Sequence, residues 1–179
     1  PDLPIVGVEP ALKPAAAMSH TRHIGVLATR GTLNSERFAR LRAQLDNTAS
    51  SPVHFVCQPC DGLADAIERG HLQAQQALCE RYVQALRDKA PGDMDTVVLG
   101  CTHYPFAADV LAQLLGSDVA LVDTGEAVAR RTRDVLNMPG PVNTKATPPM
   151  LYSTGDPAAL SQAAQRWLGL HTHAEKLVA

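Results

Sequence analysis

The residues most able to do chemistry are Cys101, Thr102 and His103, which follow directly after a glycine. The apolar run 97–99 before that glycine is typical of a strand that is buried on both faces of a parallel sheet. In open α/β sheets the carboxyl ends of the strands carry the ligand crevice, so these side chains are predicted to emerge where ligands bind. Pro105 suits the first turn of a following helix, whose amide ends and dipole would favour an anion or a thiolate near Cys101.

Each of these residues also has an ordinary interpretation. A cysteine beside a buried strand can be a small core residue, and His103 can be a loop histidine. The position of Cys101, after a strand-ending glycine and two residues from His103, favours a reactive thiol over inert packing. A metal site is the weaker chemical option, because no second close cluster of cysteine and histidine follows in the sequence. A cysteine hydrolase, with Cys101 as nucleophile and a histidine as base, stays open.

The segment Leu99–Pro105 resembles the second catalytic-cysteine motif of glutamate racemases, in the aspartate/glutamate racemase superfamily. Aspartate racemases of that superfamily tend to carry an acidic residue where His103 stands, so the histidine points to glutamate. Three further segments resemble the family in the expected order, namely residues 4–15, 25–32 and 121–126.

The resemblance implies an isomerase that interconverts L- and D-glutamate without a cofactor or a metal and supplies D-glutamate for peptidoglycan. Such enzymes use two cysteines on opposite faces of the α-carbon, because one face must lose a proton while the other gains one. Cys101 would take the proton from L-glutamate and donate it when D-glutamate reacts. His103 and Glu68 would assist the thiol. The substrate-binding residues that the resemblance implies are Thr29, Thr32 and Thr102.

Other interpretations of these positions remain. Thr32 could be a helix N-cap, and Glu68 could be a solvated residue at a helix end. Cys57 and Cys60 superficially resemble a redox dithiol, but a thioredoxin-type pair should open the helix after the first strand of its fold, and here a strand and a helix precede it. A domain that only binds a small ligand is also open, because doubly wound domains often do no more than that.

Composition limits the class of protein. The chain has 179 residues, of which 45% are hydrophobic, and a formal net charge of -2, which suits one ordinary domain or one plus part of another. No basic excess suggests nucleic acid. The apolar runs are far shorter than the roughly 18 residues that span a bilayer, and the N-terminus lacks a signal-peptide pattern, so we expect a cytoplasmic protein.

Apolar patterning predicts alternating strands and helices. Strands are predicted at 5–8, 24–29, 53–57, 97–99, 119–122 and 150–154, and helices at 34–45, 63–68, 72–90, 106–115, 126–137 and 157–168. This alternation predicts an α/β fold with a doubly wound parallel sheet. The stretch 137–149, rich in proline, is predicted to be a linker.

The resemblance also implies a division into domains. Family members have an N-terminal half that carries the first catalytic cysteine, and its motifs have no counterpart in this sequence. We therefore expect a C-terminal portion that is inactive alone, with 1–19 as a crossover or plain linker, 20–124 as a complete second α/β domain, and 125–179 returning to the first. The strands at 5–8 and 150–154 would then pair outside this chain. The expected partners are glutamate, the missing half, a cell-wall precursor that activates some members, and further copies in a homo-oligomer.

Overall fold

A four-stranded sheet forms the centre of the fold in the computed structural model, which describes residues 4–48, 52–90, 92–136 and 149–177. Its strands are β1 (His23–Ala28), β2 (His54–Pro59), β3 (Thr96–Gly100) and β4 (Ala120–Val122). They lie in the order β2-β1-β3-β4, and every neighbouring pair is parallel. The predicted parallel α/β fold is thereby confirmed.

Helices connect the strands and cover the sheet. They are α1 (Leu12–Met18), α2 (Arg30–Leu33), α3 (Glu36–Thr48), α4 (Leu63–Arg69), α5 (Leu72–Lys89), α6 (Ala108–Leu115), α7 (Gly125–Val135) and α8 (Pro157–Leu168), with a 3₁₀ turn at Tyr104–Ala107. Among the helical segments that the structure describes, none combines the length and the apolar character needed to cross a membrane.

Both faces of the sheet are buried, as the uninterrupted apolar strands predict. Val26 and Val98 belong to a core shared with α1 and α3 on one face. Leu27, Val97 and Leu99 belong to a second core, shared with α4, α5 and α6 on the other. Because neighbouring residues of a strand point to opposite faces, one apolar run contributes to both cores. Burial on both faces holds β1 and β3 rigidly. The candidate site residues Thr29 and Cys101 directly follow the carboxyl ends of these two strands.

The N-terminal segment differs from the prediction. Residues 5–8 are predicted as a strand, but residues 4–10 have irregular backbone and Ile5 is 85% exposed. A strand needs a hydrogen-bonded neighbour, and none of the described strands pairs with this segment. Instead helix α1 follows this segment. It was not predicted, because prolines interrupt the helical pattern in the sequence. Pro14 is tolerated because it lies in the first turn of α1, where a backbone N–H would lack an intrahelical partner.

The strand predicted at 150–154 is present as β5 (Leu151–Ser153), but its partner lies within the chain. It pairs in parallel with β6 (Ala174–Lys176), so the expectation of a partner outside the chain is wrong for this pairing. At three residues, β6 is too short to show a period in the sequence. The helix between them begins as predicted, because Asp156 accepts a hydrogen bond from the Ala158 N–H at 2.9 Å.

The remaining elements are confirmed with small shifts at their ends. The helix predicted at 34–45 is present as α3, but the single turn α2 precedes it, and the helix predicted at 106–115 begins with the 3₁₀ turn. Gly70, with φ of 68°, ends α4 near the predicted position. Residues 137–148, most of the predicted linker, lie outside the described residues.

The carboxylate of Asp95 joins the end of α1 to the start of β3. It accepts hydrogen bonds from Ser19 Oγ at 2.6 Å, from the backbone N–H groups of His20 and Thr21 at 2.6 and 2.9 Å, and from Thr96 Oγ1 at 3.0 Å. Desolvation acts to raise the pKa of Asp95, but these hydrogen bonds outweigh it and hold the pKa well below its usual range. Asp95 therefore stays ionised to low pH and holds residues 19–21 at the amino-terminal end of β3.

Replacing Asp95 with asparagine is expected to lower the free energy of unfolding at neutral pH by about 1–2 kcal/mol, because charge-assisted hydrogen bonds at a partly exposed site are lost. The pKa of Asp95 is lower in the folded chain than in the unfolded one, so its contribution is complete above about pH 4 and is lost as the pH falls further. Urea unfolding of both proteins should show that the difference in free energy of unfolding becomes smaller as the pH falls below about 4. Asp93→Asn, at an exposed neighbour, is the control, and a deficit independent of pH would contradict the assignment.

Candidate active site

The carboxyl ends of β1 and β3 lie side by side, and the chain leaves these two strands toward opposite edges of the sheet. Such a switch point opens a crevice above the strand ends. Thr29 follows β1, Cys101 follows β3, and the last paired residues, Ala28 and Gly100, stand opposite each other. The crevice here is a cleft of about 600 Å³, and the predicted site residues that line it are Thr29, Thr32, Cys101, Thr102 and His103.

Gly100 brings the two strand ends unusually close. A Cβ atom at this position would lie 2.8 Å from the Cβ of Ala28 and 3.1 Å from the carbonyl oxygen of Leu27. Neither neighbour can move easily, because both belong to a central strand that is hydrogen-bonded on each side. The glycine therefore fixes the separation between the turn at Thr29 and the thiol of Cys101.

Cys101, His103 and Glu68 form a chain of contacts that leads from the cleft outward. Cys101 Sγ lies 3.8 Å from His103 Nδ1, within reach of a sulfur hydrogen bond. On the other side of the ring, His103 Nε2 lies 3.4 Å from Glu68 Oε2. The Glu68 side chain, on the last turns of α4, is 69% exposed, so solvent screens the pair. The structure thus brings together the three residues that the family resemblance implies for proton transfer and its support.

The two threonines of the first turn are linked to each other. Thr29 Oγ1 and Thr32 Oγ1 lie 2.9 Å apart. Thr29 is the N-cap of α2, because its hydroxyl oxygen accepts a hydrogen bond from the Thr32 N–H at 3.2 Å. The interpretation of Thr32 as the N-cap is therefore wrong, and Ser35 accepts from the Phe38 N–H at the start of α3 instead. Both threonine hydroxyls remain half-buried at the cleft, placed to bind polar groups of a ligand.

Buried tyrosine side chains hold the loops around the site. Tyr104, which is fully buried, donates from its hydroxyl to the carbonyl oxygen of Cys60 at 3.2 Å. Tyr82 donates to the carbonyl oxygen of Asp61 at 2.6 Å. These bonds join the loop after β3 and helix α5 to the loop after β2. The hydrogen bond of Tyr104 therefore fixes the turn that carries Cys101 to the loop after β2.

The other three thiols are in environments that keep them protonated. Burial raises the pKa of Cys60 to about 12 and that of Cys79 to about 11. Desolvation also raises the pKa of Cys57. A redox dithiol needs a thiol with a lowered pKa, so the direction of these shifts argues against a redox function for Cys57 and Cys60. All four cysteines are free thiols.

Cys101 is expected to be the first of the four thiols to react with limiting iodoacetamide in the folded chain. It is partly exposed at a cleft beside His103, whereas burial keeps the thiol form of the others. Peptide mass mapping after brief treatment will locate the label. A Cys101→Ser variant should take up little label over the same period. Earlier labelling of Cys57, Cys60 or Cys79 would remove the physical basis for an activated thiol at 101.

Sequence reasoning missed one wall of the cleft. Residues 8–10 lie along it, and Glu9 Oε2 contacts Arg37 Nε of α3 at 3.5 Å. The same guanidinium packs against Gly7, where a Cβ would lie 3.3 Å from Nη2. A contact between residues this distant in sequence leaves no local pattern. Thr124, after β4, also lines the cleft.

Comparison with known families and relatives agrees with this geometry. The family described as Asp/Glu/Hydantoin racemase matches residues 1–132. The chain is 46% identical over 158 residues to the glutamate racemase of Pseudomonas syringae pv. tomato, covering 87% of this chain and 55% of the relative. It is 44% identical over 170 residues to that of Ralstonia pickettii, covering 93% of this chain and 58% of the relative. The chain thus spans little more than half the length of these curated relatives.

Solved structures show the same similarity. The structure of Escherichia coli glutamate racemase in complex with L-glutamate and the activator UDP-MurNAc-ala matches with a TM-score of 0.72 and 33% identity, over 99% of this chain and 66% of that one. Glutamate racemase isoform RacE1 from Bacillus anthracis matches with a TM-score of 0.73, over 93% of this chain and 61% of that one. At 24% identity the second match speaks to the fold alone.

Proposed function

The chain belongs to the Asp/Glu/Hydantoin racemase family, and from that membership we propose that the protein carrying it interconverts L- and D-glutamate. The observation that carries the proposal is the position of Cys101, which lines the cleft at a strand end with His103 3.8 Å away and threonine hydroxyls around it. The similarity to curated glutamate racemases supports glutamate as the substrate.

The proposed reaction is a direct proton transfer at the α-carbon. The Cys101 thiolate takes the α-hydrogen of L-glutamate as a proton, so that the C–H bond breaks, an S–H bond forms, and the electron pair stays on the α-carbon. A second acid on the opposite face donates a proton to that carbon and leaves the inverted amino acid. In the reverse direction Cys101 is the thiol that donates. No cofactor takes part in these steps.

Each remaining site residue has a proposed role. His103 supports the ionised form of the Cys101 thiol, and Glu68 orients the imidazole through their 3.4 Å contact. Thr29, Thr32 and Thr102 hold the carboxylate and amino groups of the substrate. Among the described residues, Cys101 is the one thiol that lines this cleft, so the second acid is proposed to come from the part of the relatives' length that this chain does not span.

We extend the proposal to the partners and place of the reaction. The E. coli relative was solved with an activator, UDP-MurNAc-ala, and we propose that a cell-wall precursor also activates this protein. The cytoplasm is the proposed location, where the product would supply peptidoglycan synthesis. The division at residues 19 and 124 into a crossover, a complete α/β domain and a returning segment is proposed on the family resemblance. Assembly as a homo-oligomer also stays a prediction.

The test is the inversion of glutamate in heavy water by a protein that carries this chain at the full length of its relatives. We expect L-glutamate to yield D-glutamate with one deuterium at the α-carbon, and chiral chromatography with mass spectrometry will measure both properties. Failure to invert either enantiomer would overturn the proposal. A cysteine hydrolase would instead form an acyl-enzyme on Cys101. Mass spectrometry of the protein after incubation with substrate would detect that adduct.

A further inference from the structure

Helix α8 contacts two elements that carry residues of the candidate site. The indole N–H of Trp167 donates to the carbonyl oxygen of Ile67, in α4, at 3.2 Å. The same indole stacks on Phe106, in the 3₁₀ turn, with ring centroids 5.3 Å apart and an interplanar angle of 29°. One side chain of α8 therefore joins α4 to the turn that follows Cys101.

The next residue strengthens this junction. Arg166 Nη1 donates to the carbonyl oxygen of Glu68 at 3.3 Å. Its guanidinium also covers Gly70, where a Cβ would overlap the Arg166 guanidinium. The two α8 side chains thus hold the last residues of α4 through backbone groups. Neither contact involves the Glu68 carboxylate itself.

These contacts surround the pair formed by Glu68 and His103. Ile67 and Glu68 are neighbours on α4. His103 directly precedes the 3₁₀ turn, and its carbonyl oxygen accepts a hydrogen bond from the Phe106 N–H at 3.1 Å. Trp167 therefore contacts the residue beside Glu68 on one element and a residue bonded to His103 on the other. A change in its position would alter the distance between the carboxylate and the imidazole.

Packing against its neighbours fixes the orientation of helix α4. It has seven residues, and glycines with positive φ, Gly62 at 80° and Gly70 at 68°, stand at its two ends. Helices of this length have little stability of their own, so packing sets their orientation. Glycine restricts the backbone dihedral angles less than other residues do, so the two ends of α4 do not fix its direction by themselves. Leu63 and Ile67 hold α4 in the core, and α8 adds contacts at its C-terminal end, beside the exposed 3.4 Å contact of Glu68 with His103.

We propose that Trp167, assisted by Arg166, is a positioning residue that holds α4 against the 3₁₀ turn so that Glu68 meets His103. The inference rests on the proposed function in one respect, namely that this pair serves the Cys101 thiol. It assigns to α8, whose Trp167 lies 66 residues after Cys101 in the sequence, a part in setting the reactivity of that thiol.

The test measures the alkylation rate of Cys101 in a double-mutant cycle, which requires no racemase activity. Trp167→Ala is expected to lower the rate about threefold, the size of effect typical of losing an exposed charged contact. Glu68→Gln should lower it by a similar factor, and adding Trp167→Ala to Glu68→Gln should lower it no further. Gln162→Ala, at an exposed position of α8, is the control and should leave the rate unchanged.

Two measurements separate positioning from loss of structure. Trp167→Phe keeps a ring against Phe106 but removes the indole donor, so it should fold, as judged by circular dichroism, and retain an intermediate rate. Trp167 is the one tryptophan of the chain, so its fluorescence reports on the packing of α8 and should not change in Glu68→Gln.

The proposal is overturned if Trp167→Ala leaves the alkylation rate unchanged or lowers it by the same factor with and without Glu68. In a protein of full family length, Trp167→Ala should lower kcat in the L-to-D direction more than it raises KM. If that protein fails to racemise glutamate while the alkylation cycle behaves as expected, the proposed function fails and the positioning role stands.

Discussion

Purified by itself, this 179-residue chain is expected to leave L-glutamate uninverted. Inversion needs one group to remove a proton from one face of the α-carbon and another to supply a proton to the opposite face. Among the described residues, the cleft contains a single thiol, Cys101, and Cys60 and Cys79 are buried in a core with raised pKa values. One acid/base group can exchange the α-hydrogen on its own side at most, and this leaves the configuration unchanged.

Chiral chromatography of glutamate incubated with the purified chain will check this expectation. The matched positive control is the same sequence within a protein of full family length, assayed at equal concentration. Mixing the chain with a separately made N-terminal half should restore some turnover if the two parts dock. Accumulation of D-glutamate with the chain alone, abolished by Cys101→Ser, would show that one thiol suffices and would overturn the two-cysteine mechanism.

In a protein of full family length, Cys101→Ser is expected to lower kcat by about 10²–10⁴-fold, the usual contribution of a positioned acid or base. A serine hydroxyl is a far weaker acid than a thiol, so it is hardly ionised beside His103 at neutral pH. Thr29, Thr32 and Thr102 are unchanged in this variant, so KM should change little. Initial rates in both directions, measured by chiral chromatography, will give the two constants separately.

Cys57→Ser is the matched control for that measurement. Cys57 is also partly exposed, but it lies in β2 and does not line the cleft. Its replacement should leave kcat within a factor of about two, as is usual for changes away from special sites. Comparable losses in the Cys57 and Cys101 variants would mean that the effect is one of folding. Full activity in Cys101→Ser would show that the Cys101 thiol takes no part in proton transfer.

Much of the scaffold could be predicted because its signals are local. The run 97–99 is apolar at every position, and the structure buries it on both faces between two layers of helices. Gly100 ends that run, so the placement of Cys101 and His103 at a cleft followed from general properties of parallel sheets. The contact of Glu68 with His103 was reached through the family resemblance alone, since an exposed glutamate at a helix end has no distinctive pattern.

Other features depend on contacts between distant residues and could not be predicted. Residues 5–8 have the composition of a strand but lack a paired neighbour among the described strands, so they are irregular. The contact between Glu9 and Arg37, which borders the cleft, joins two exposed side chains that nothing in the sequence links. Trp167 looks like an ordinary apolar residue of an amphipathic helix, and its contact with Ile67 depends on how α8 returns to α4.

The position of β1 has a consequence for how the protein exchanges its amide hydrogens. β1 is hydrogen-bonded to β2 on one edge and to β3 on the other, and Ile24–Ala28 are all buried. Its amides should therefore exchange with solvent only when the whole domain unfolds, whereas α7, which has no buried residue, can exchange by local opening. The slowest-exchanging amides thus lie directly beneath Thr29. Ligand binding at the cleft should add protection to the loops above the sheet and leave exchange in β1 limited by global unfolding.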